Sequence, residues 1–123
     1  MGDISDNFWK SERVCKCGRH PVPYDIENLE LLGMLEVARS MFGRPIIIRS
    51  WVRCPLHNVN EGGKENSAHL TGHAVDITVY RSDTRYVLEE ALQKAGFTRF
   101  GEGKTFLHAD CDKTKPEKVR WTY

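Results

Sequence analysis

Between Ser67 and Thr78 the chain reads Ser-Ala-His-Leu-Thr-Gly-His-Ala-Val-Asp-Ile-Thr, which sets His69 and Asp76 seven positions apart with Gly72 between them. A second histidine, His108, stands in the apolar run Phe106-Leu107-His108-Ala109-Asp110. Two imidazoles and one carboxylate leave a fourth position open, the donor set of a catalytic zinc site; structural sites are usually closed by four protein ligands. One zinc per chain on His69, Asp76 and His108 is the first expectation. His69 and His73 are also four apart, as on a zinc-binding helix. Position 70 is Leu where H-E-x-x-H needs Glu, however, and Gly72 opposes a helix, so His73 is set aside. A period of two puts Phe106, His108 and Asp110 on one face of a strand, where Asp110 is expected to orient the His108 imidazole.

The elements that must position these residues follow from apolar spacing. Residues 1 to 24 carry turn-formers with Pro21 and Pro23, and read as an irregular arm anchored by Phe8 and Trp9. From Asp25, a suitable N-cap, Ile26, Leu29, Leu32, Leu35, Ala38 and Phe42 recur at helical spacing until Gly43 and Pro45. Ile46 to Ser50 is strand-like, and Cys54 to Asn66, with Pro55 and Gly62-Gly63, reads as a long loop. Between Ala74 and Tyr80, Val75, Ile77 and Val79 share one face, and Ala74, Asp76 and Thr78 the other. Ser82 can cap a second helix whose stripe is Val87, Leu88, Ala91, Leu92 and Ala95, ended by Gly96. Phe97 to Phe100 and Phe106 to Cys111 read as two further strands. This order predicts a small α+β domain over residues 1 to 123, with a central, mainly antiparallel sheet and two main helices.

With 123 residues, 40% apolar and 28% charged, the composition is that of one globular domain. A net charge of +1 gives no electrostatic footprint for nucleic acid. Lys113, Lys115, Lys118 and Arg120 make the C-terminal end locally basic, and a solvated tail is the expectation there. No run is long enough for a membrane span, and the polar start Met-Gly-Asp-Ile-Ser-Asp-Asn lacks the pattern of a signal peptide. Of the four cysteines, Cys15 and Cys17 form a C-x-C pair too tight for the usual C-x2-C zinc knuckle, which disfavours a zinc ribbon. Buried thiols, a disulfide formed after release and a small second metal site stay open for Cys15, Cys17, Cys54 and Cys111.

The pattern Ser67-x-His69-x-x-Gly72-x-Ala74-x-Asp76, followed by His108-x-Asp110, resembles the D-alanyl-D-alanine carboxypeptidase family, zinc peptidases that share a fold with lysostaphin-type peptidases and the Hedgehog domain. Arg49-Ser50-Trp51-Val52-Arg53-Cys54-Pro55-Leu56-His57-Asn58 is similar to the family's Ser-Gly-Tyr-Arg-Ser-Pro-x-x-Asn segment, with Ser-Trp-Val standing where the family has Ser-Gly-Tyr. Phe8 to Gly18 and the closing Arg120-Trp121-Thr122-Tyr123 are also similar to the family's ends. The resemblance implies His69, Asp76 and His108 as zinc ligands, Arg53 as a substrate and oxyanion contact, and Ser67 as a substrate-binding hydroxyl. It also implies a general base shortly before the last ligand. Glu102, six before His108 as in the Hedgehog stretch, is expected in that role, with Asp110 as its rival; Thr105, where some relatives hold an acid, cannot act as a base.

The implied activity is hydrolysis of peptidoglycan stem peptides, as a D,D-carboxypeptidase or an endopeptidase. A monomeric chain without a signal peptide would suit a phage lysis or tail enzyme. A non-catalytic zinc module of the same fold that binds cell-wall peptides or a protein partner is the alternative. Whether Glu102 reaches the site separates the two.

Overall fold

In the computed structural model, residues 2–17 and 24–123 are described. The expected α+β architecture is present: a five-stranded sheet carries helices on one face and leaves the other to polar chemistry. In chain order the elements are α1 (Lys10–Arg13), α2 (Leu29–Phe42), β1 (Ile48–Ser50), α3 (Pro55–Asn60), a 3-10 turn (Ala68–Thr71), β2 (Ala74–Thr78), α4 (Ser82–Ala95), β3 (Arg99–Glu102), β4 (Phe106–Asp110) and β5 (Val119–Thr122). The strands lie in the order β1-β2-β4-β3-β5. All neighbours are antiparallel except β3 and β5.

Helix α2 starts later than the Asp25 cap implies. Asn28 is the cap, its side chain accepting the Leu31 N–H at 3.1 Å. Asp25 is drawn off by Arg13, whose guanidinium grips both carboxylate oxygens at 2.8 and 2.9 Å. The buried stripe is Leu31, Leu32, Leu35 and Ala38, whereas Leu29 is exposed. Gly43 closes the helix in the left-handed region, φ 74°, where glycine meets no Cβ penalty. In α4, Leu88, Ala91 and Leu92 are buried, and Val87 is not. Ser82 is the first helical residue of α4, with Arg81 in the capping position. The segment read as one long loop contains α3, because Cys54 caps it and Pro55 presets φ at its first position.

Phe8 is buried in the core as expected, but Trp9 is half exposed and sits in the capping position of α1. Pro21 and Pro23 lie outside the described residues. The basic C-terminal end is no loose tail. It returns as β5, parallel to β3 with Gly101 beside Trp121. Sequence periodicity is silent on such a strand, since only the sheet edge it joins gives it a partner.

Helices α2 and α4 pack on each other and cover the face bearing Val75, Ile77, Leu107 and Phe100. Leu35 is fully buried in this layer. Leu35→Ala should lower unfolding free energy by about 2–5 kcal/mol through lost burial and the cavity left behind. A urea or thermal melt at constant zinc measures it.

Candidate metal centre

The ladder between β2 and β4 decides what faces what. Asp76 lies opposite His108, Ala74 opposite Asp110, and Val75 opposite Ala109. On the other side of β4, Gly101 faces His108 and Arg99 faces Asp110. Directly opposed residues share a face, so Asp76, His108, Gly101, Asp110 and Arg99 form one surface, turned away from the helices.

His69 reaches this surface from outside the sheet. It rides on the 3-10 turn, which Gly72 ends at φ 74°. Two buried contacts pin the turn: the Trp51 indole N–H donates to the Gly72 carbonyl at 3.1 Å, and the Arg53 N–H to the His69 carbonyl at 3.0 Å.

Donor atoms of His69, Asp76 and His108 all lie within 4.8 Å of one another. Asp76 Oδ1 stands 3.3 Å from His69 Nε2 and 3.0 Å from His108 Nδ1. The remaining ring nitrogens meet acceptors: His69 Nδ1 is 2.6 Å from the Trp51 carbonyl, and His108 Nε2 is 2.8 Å from Asp110 Oδ2. A carbonyl can only accept, and an ionised carboxylate likewise, so those nitrogens carry the hydrogens. His69 Nε2 and His108 Nδ1 are the nitrogens that face Asp76 Oδ1; on losing their protons they would turn lone pairs to a divalent cation held between them and that carboxylate. The residues present therefore fit a zinc ion.

The protonation balance reflects the same crowding. Burial pushes the His69 pKa down, against the pull of Asp76. At His108 burial acts the same way, but Asp110 and Asp76 outweigh it and the pKa rises. Burial would raise the Asp76 pKa; hydrogen bonds from His108 and His69 prevail and hold it well below the usual carboxylate range.

Arg53 completes the floor. Its Nη2 donates to Asp76 Oδ2 at 2.9 Å, and its Nε donates to the Ser50 hydroxyl at 3.2 Å. The resulting cavity, about 720 Å³, is lined by His69, Asp76, His108, Arg53, Ser67 and Asp110 among others. Ser67 accepts the His69 backbone N–H at 3.2 Å and so also braces the turn.

Glu102 is the site residue that the structure does not bring in. It lies opposite Leu107, hence on the helix-covered face, one residue out of phase with Gly101 and His108. Its carboxylate takes a 2.9 Å bond from Arg85 of α4. The spacing of six before His108 fits the expectation, but the turn between β3 and β4 sets the opposite parity. Gly101, next to Glu102, makes room for Trp121: a Cβ there would fall 2.6 Å from the indole nitrogen.

Sequence reasoning missed the Trp51 carbonyl, Arg99 and the ring of Trp121. Arg99 Nε sits 3.0 Å from Asp110 Oδ1, and the Trp121 ring centroid is 5.3 Å from that of His108. Backbone acceptors carry no side-chain signal, and Trp121 reaches the site only through β5.

His69→Ala combined with Asp76→Ala should abolish zinc at this centre, measured by metal analysis of dialysed protein. Asp110→Asn should weaken zinc binding about 10- to 100-fold, because His108 loses the acceptor that orients it. Loss of turnover with zinc affinity intact would instead make Asp110 a proton acceptor. Glu102→Gln should leave zinc affinity and turnover near normal, and cost about 1 kcal/mol of stability through Arg85.

Comparison with known proteins agrees with this geometry. No curated protein matches the chain. A family model described as Peptidase M15 matches residues 6–112, a span that holds the arm, Arg53, the 3-10 turn and all three metal-binding candidates. M15 peptidases are zinc-dependent enzymes of the D-Ala-D-Ala carboxypeptidase type, in keeping with the donor set found here. With the match running through nearly the whole chain, the protein belongs to the Peptidase M15 family.

Proposed function

We infer that the protein hydrolyses peptide bonds in bacterial peptidoglycan stem peptides, with a terminal D-Ala-D-Ala bond as the favoured target. The observation that carries this reading is the His69, Asp76 and His108 donor group in an open cavity lined by Arg53, Lys64, Arg99 and Lys115 alongside Glu61 and Asp110. A substrate cut next to its C-terminus brings a carboxylate into the cavity, and guanidinium groups bind carboxylates through paired, charge-assisted hydrogen bonds.

Zinc bound by these three residues would supply a Lewis acid for the scissile carbonyl and lower the pKa of water. The chain's own residues do the positioning. With zinc bound, the Trp51 carbonyl and Asp110 would hold the two imidazoles in the tautomers that direct lone pairs inward. Arg53, tied to Asp76, would meet the substrate's carboxylate or the oxyanion of the reacting carbonyl. Ser67 can donate its hydroxyl hydrogen to a substrate carbonyl while its oxygen stays on the His69 N–H. Release from a bacterial cell at phage lysis would bring such an enzyme to its wall substrate.

Glu102 lies on the opposite face of the sheet, which favours as a second reading a zinc module that binds stem peptides without cutting them.

The decisive experiment incubates zinc-loaded protein with purified muropeptides and reads product masses. Loss of one terminal alanine from pentapeptide stems is expected, and a chelator should stop it. A C-terminal amide on the same peptide should slow cleavage about 10-fold or more, the worth of a charge-assisted hydrogen bond. Cleavage of cross-linked dimers alone would make the enzyme an endopeptidase. Binding without any mass change would establish the second reading.

A further inference from the structure

We propose that Cys15, Cys17 and Cys54 hold a second, structural zinc ion that staples the N-terminal arm to the loop carrying Arg53. Cys15 and Cys17 are neighbours on the arm and Cys54 lies 37 residues beyond Cys17, yet the three sulfurs all lie within 4.8 Å of one another. Cys17 Sγ and Cys54 Sγ are 3.7 Å apart. A disulfide requires about 2.05 Å, whereas two thiolates on one tetrahedral zinc, at about 2.3 Å each, stand about 3.8 Å apart. The observed separation is that of two corners of a tetrahedron.

Backbone groups around the sulfurs suit thiolates. The Cys54 N–H donates to Cys15 Sγ at 3.3 Å, and the His57 N–H donates to Cys54 Sγ at 3.4 Å. A disulfide would use two sulfurs and strand the third beside it; a metal uses all three. Each thiol gives up its proton to solvent on binding, and one further donor group of the protein would close the fourth corner. The fourth cysteine, Cys111, stands apart, with its thiol on the His73 carbonyl at 3.6 Å.

The position gives the ion its role. Cys54 follows Arg53 directly, and the neighbouring Val52 N–H donates to the Arg13 carbonyl of the arm at 3.1 Å. One ion there closes the chain between residues 15 and 54 and fixes the loop that presents Arg53 to Asp76. The C-x-C spacing, too tight for an ordinary zinc knuckle by itself, becomes sufficient once Cys54 is folded beside it. The zinc content then rises from the one per chain expected from sequence to two.

The test is metal analysis with cobalt spectroscopy on the full chain. Wild-type protein purified under reducing conditions should carry two zinc ions, His69→Ala/Asp76→Ala one, and Cys15→Ser/Cys17→Ser one. Cys111→Ser should keep both. Because the cysteine variant could fail to fold, wild-type protein is also loaded with cobalt(II). It should show thiolate-to-cobalt charge-transfer absorption in the near ultraviolet, which histidine and carboxylate ligands do not produce. A single zinc in wild type with no such absorption, or a disulfide among these cysteines in the purified protein, would overturn the proposal.

Discussion

A buried carboxylate organises this molecule. Asp76 sits on β2, next to the middle of the sheet, almost sealed from solvent, and stays ionised because two imidazoles and a guanidinium converge on it. An unpaired charge in that position would cost several kcal/mol, so each partner must be delivered. The β4 ladder delivers His108, the 3-10 turn delivers His69, and the loop after β1 delivers Arg53. The partners in turn need their own acceptors, and they find them in the Trp51 carbonyl and Asp110. The metal centre and the stability of the central sheet are thus one network.

The pleat divides labour within the sheet. Val75, Ile77 and Leu107 bind the helices, while Asp76 and His108, their immediate neighbours in sequence, form the polar face. Alternation keeps apolar packing and metal chemistry one residue apart without mixing them. It also excludes Glu102, which falls on the helix side and pairs with Arg85.

The N-terminal arm is bound into this arrangement. Arg13 holds Asp25 with a bidentate pair and gives its carbonyl to Val52, while the Cys15 sulfur meets the Cys54 N–H. These contacts bracket Arg53. A chain whose active loop lacks regular structure needs such external supports, because loops have few internal hydrogen bonds to hold a side chain in place.

The α+β class, both main helices, and the phase of β2 and β4 are legible in residue order alone. Periods of 3.6 and 2 report directly which residues must be buried, and Gly43, Gly72 and Gly96 mark left-handed turns that other residues resist. Residue order also singles out His69, Asp76 and His108, since their types and spacing admit few other uses. The rest arises from how the folded elements meet. Which face Glu102 occupies depends on the parity of a three-residue turn, a quantity that spacing along the chain does not carry. Whether Cys15 and Cys17 have a third sulfur beside them depends on how the arm folds across the loop at Cys54. The tautomers of the imidazoles rest on a backbone carbonyl and on a carboxylate two residues along, and β5 exists because β3 offers it an edge. Local patterns dictate local conformation; register, parity and long-range contacts come into being only when the chain closes on itself.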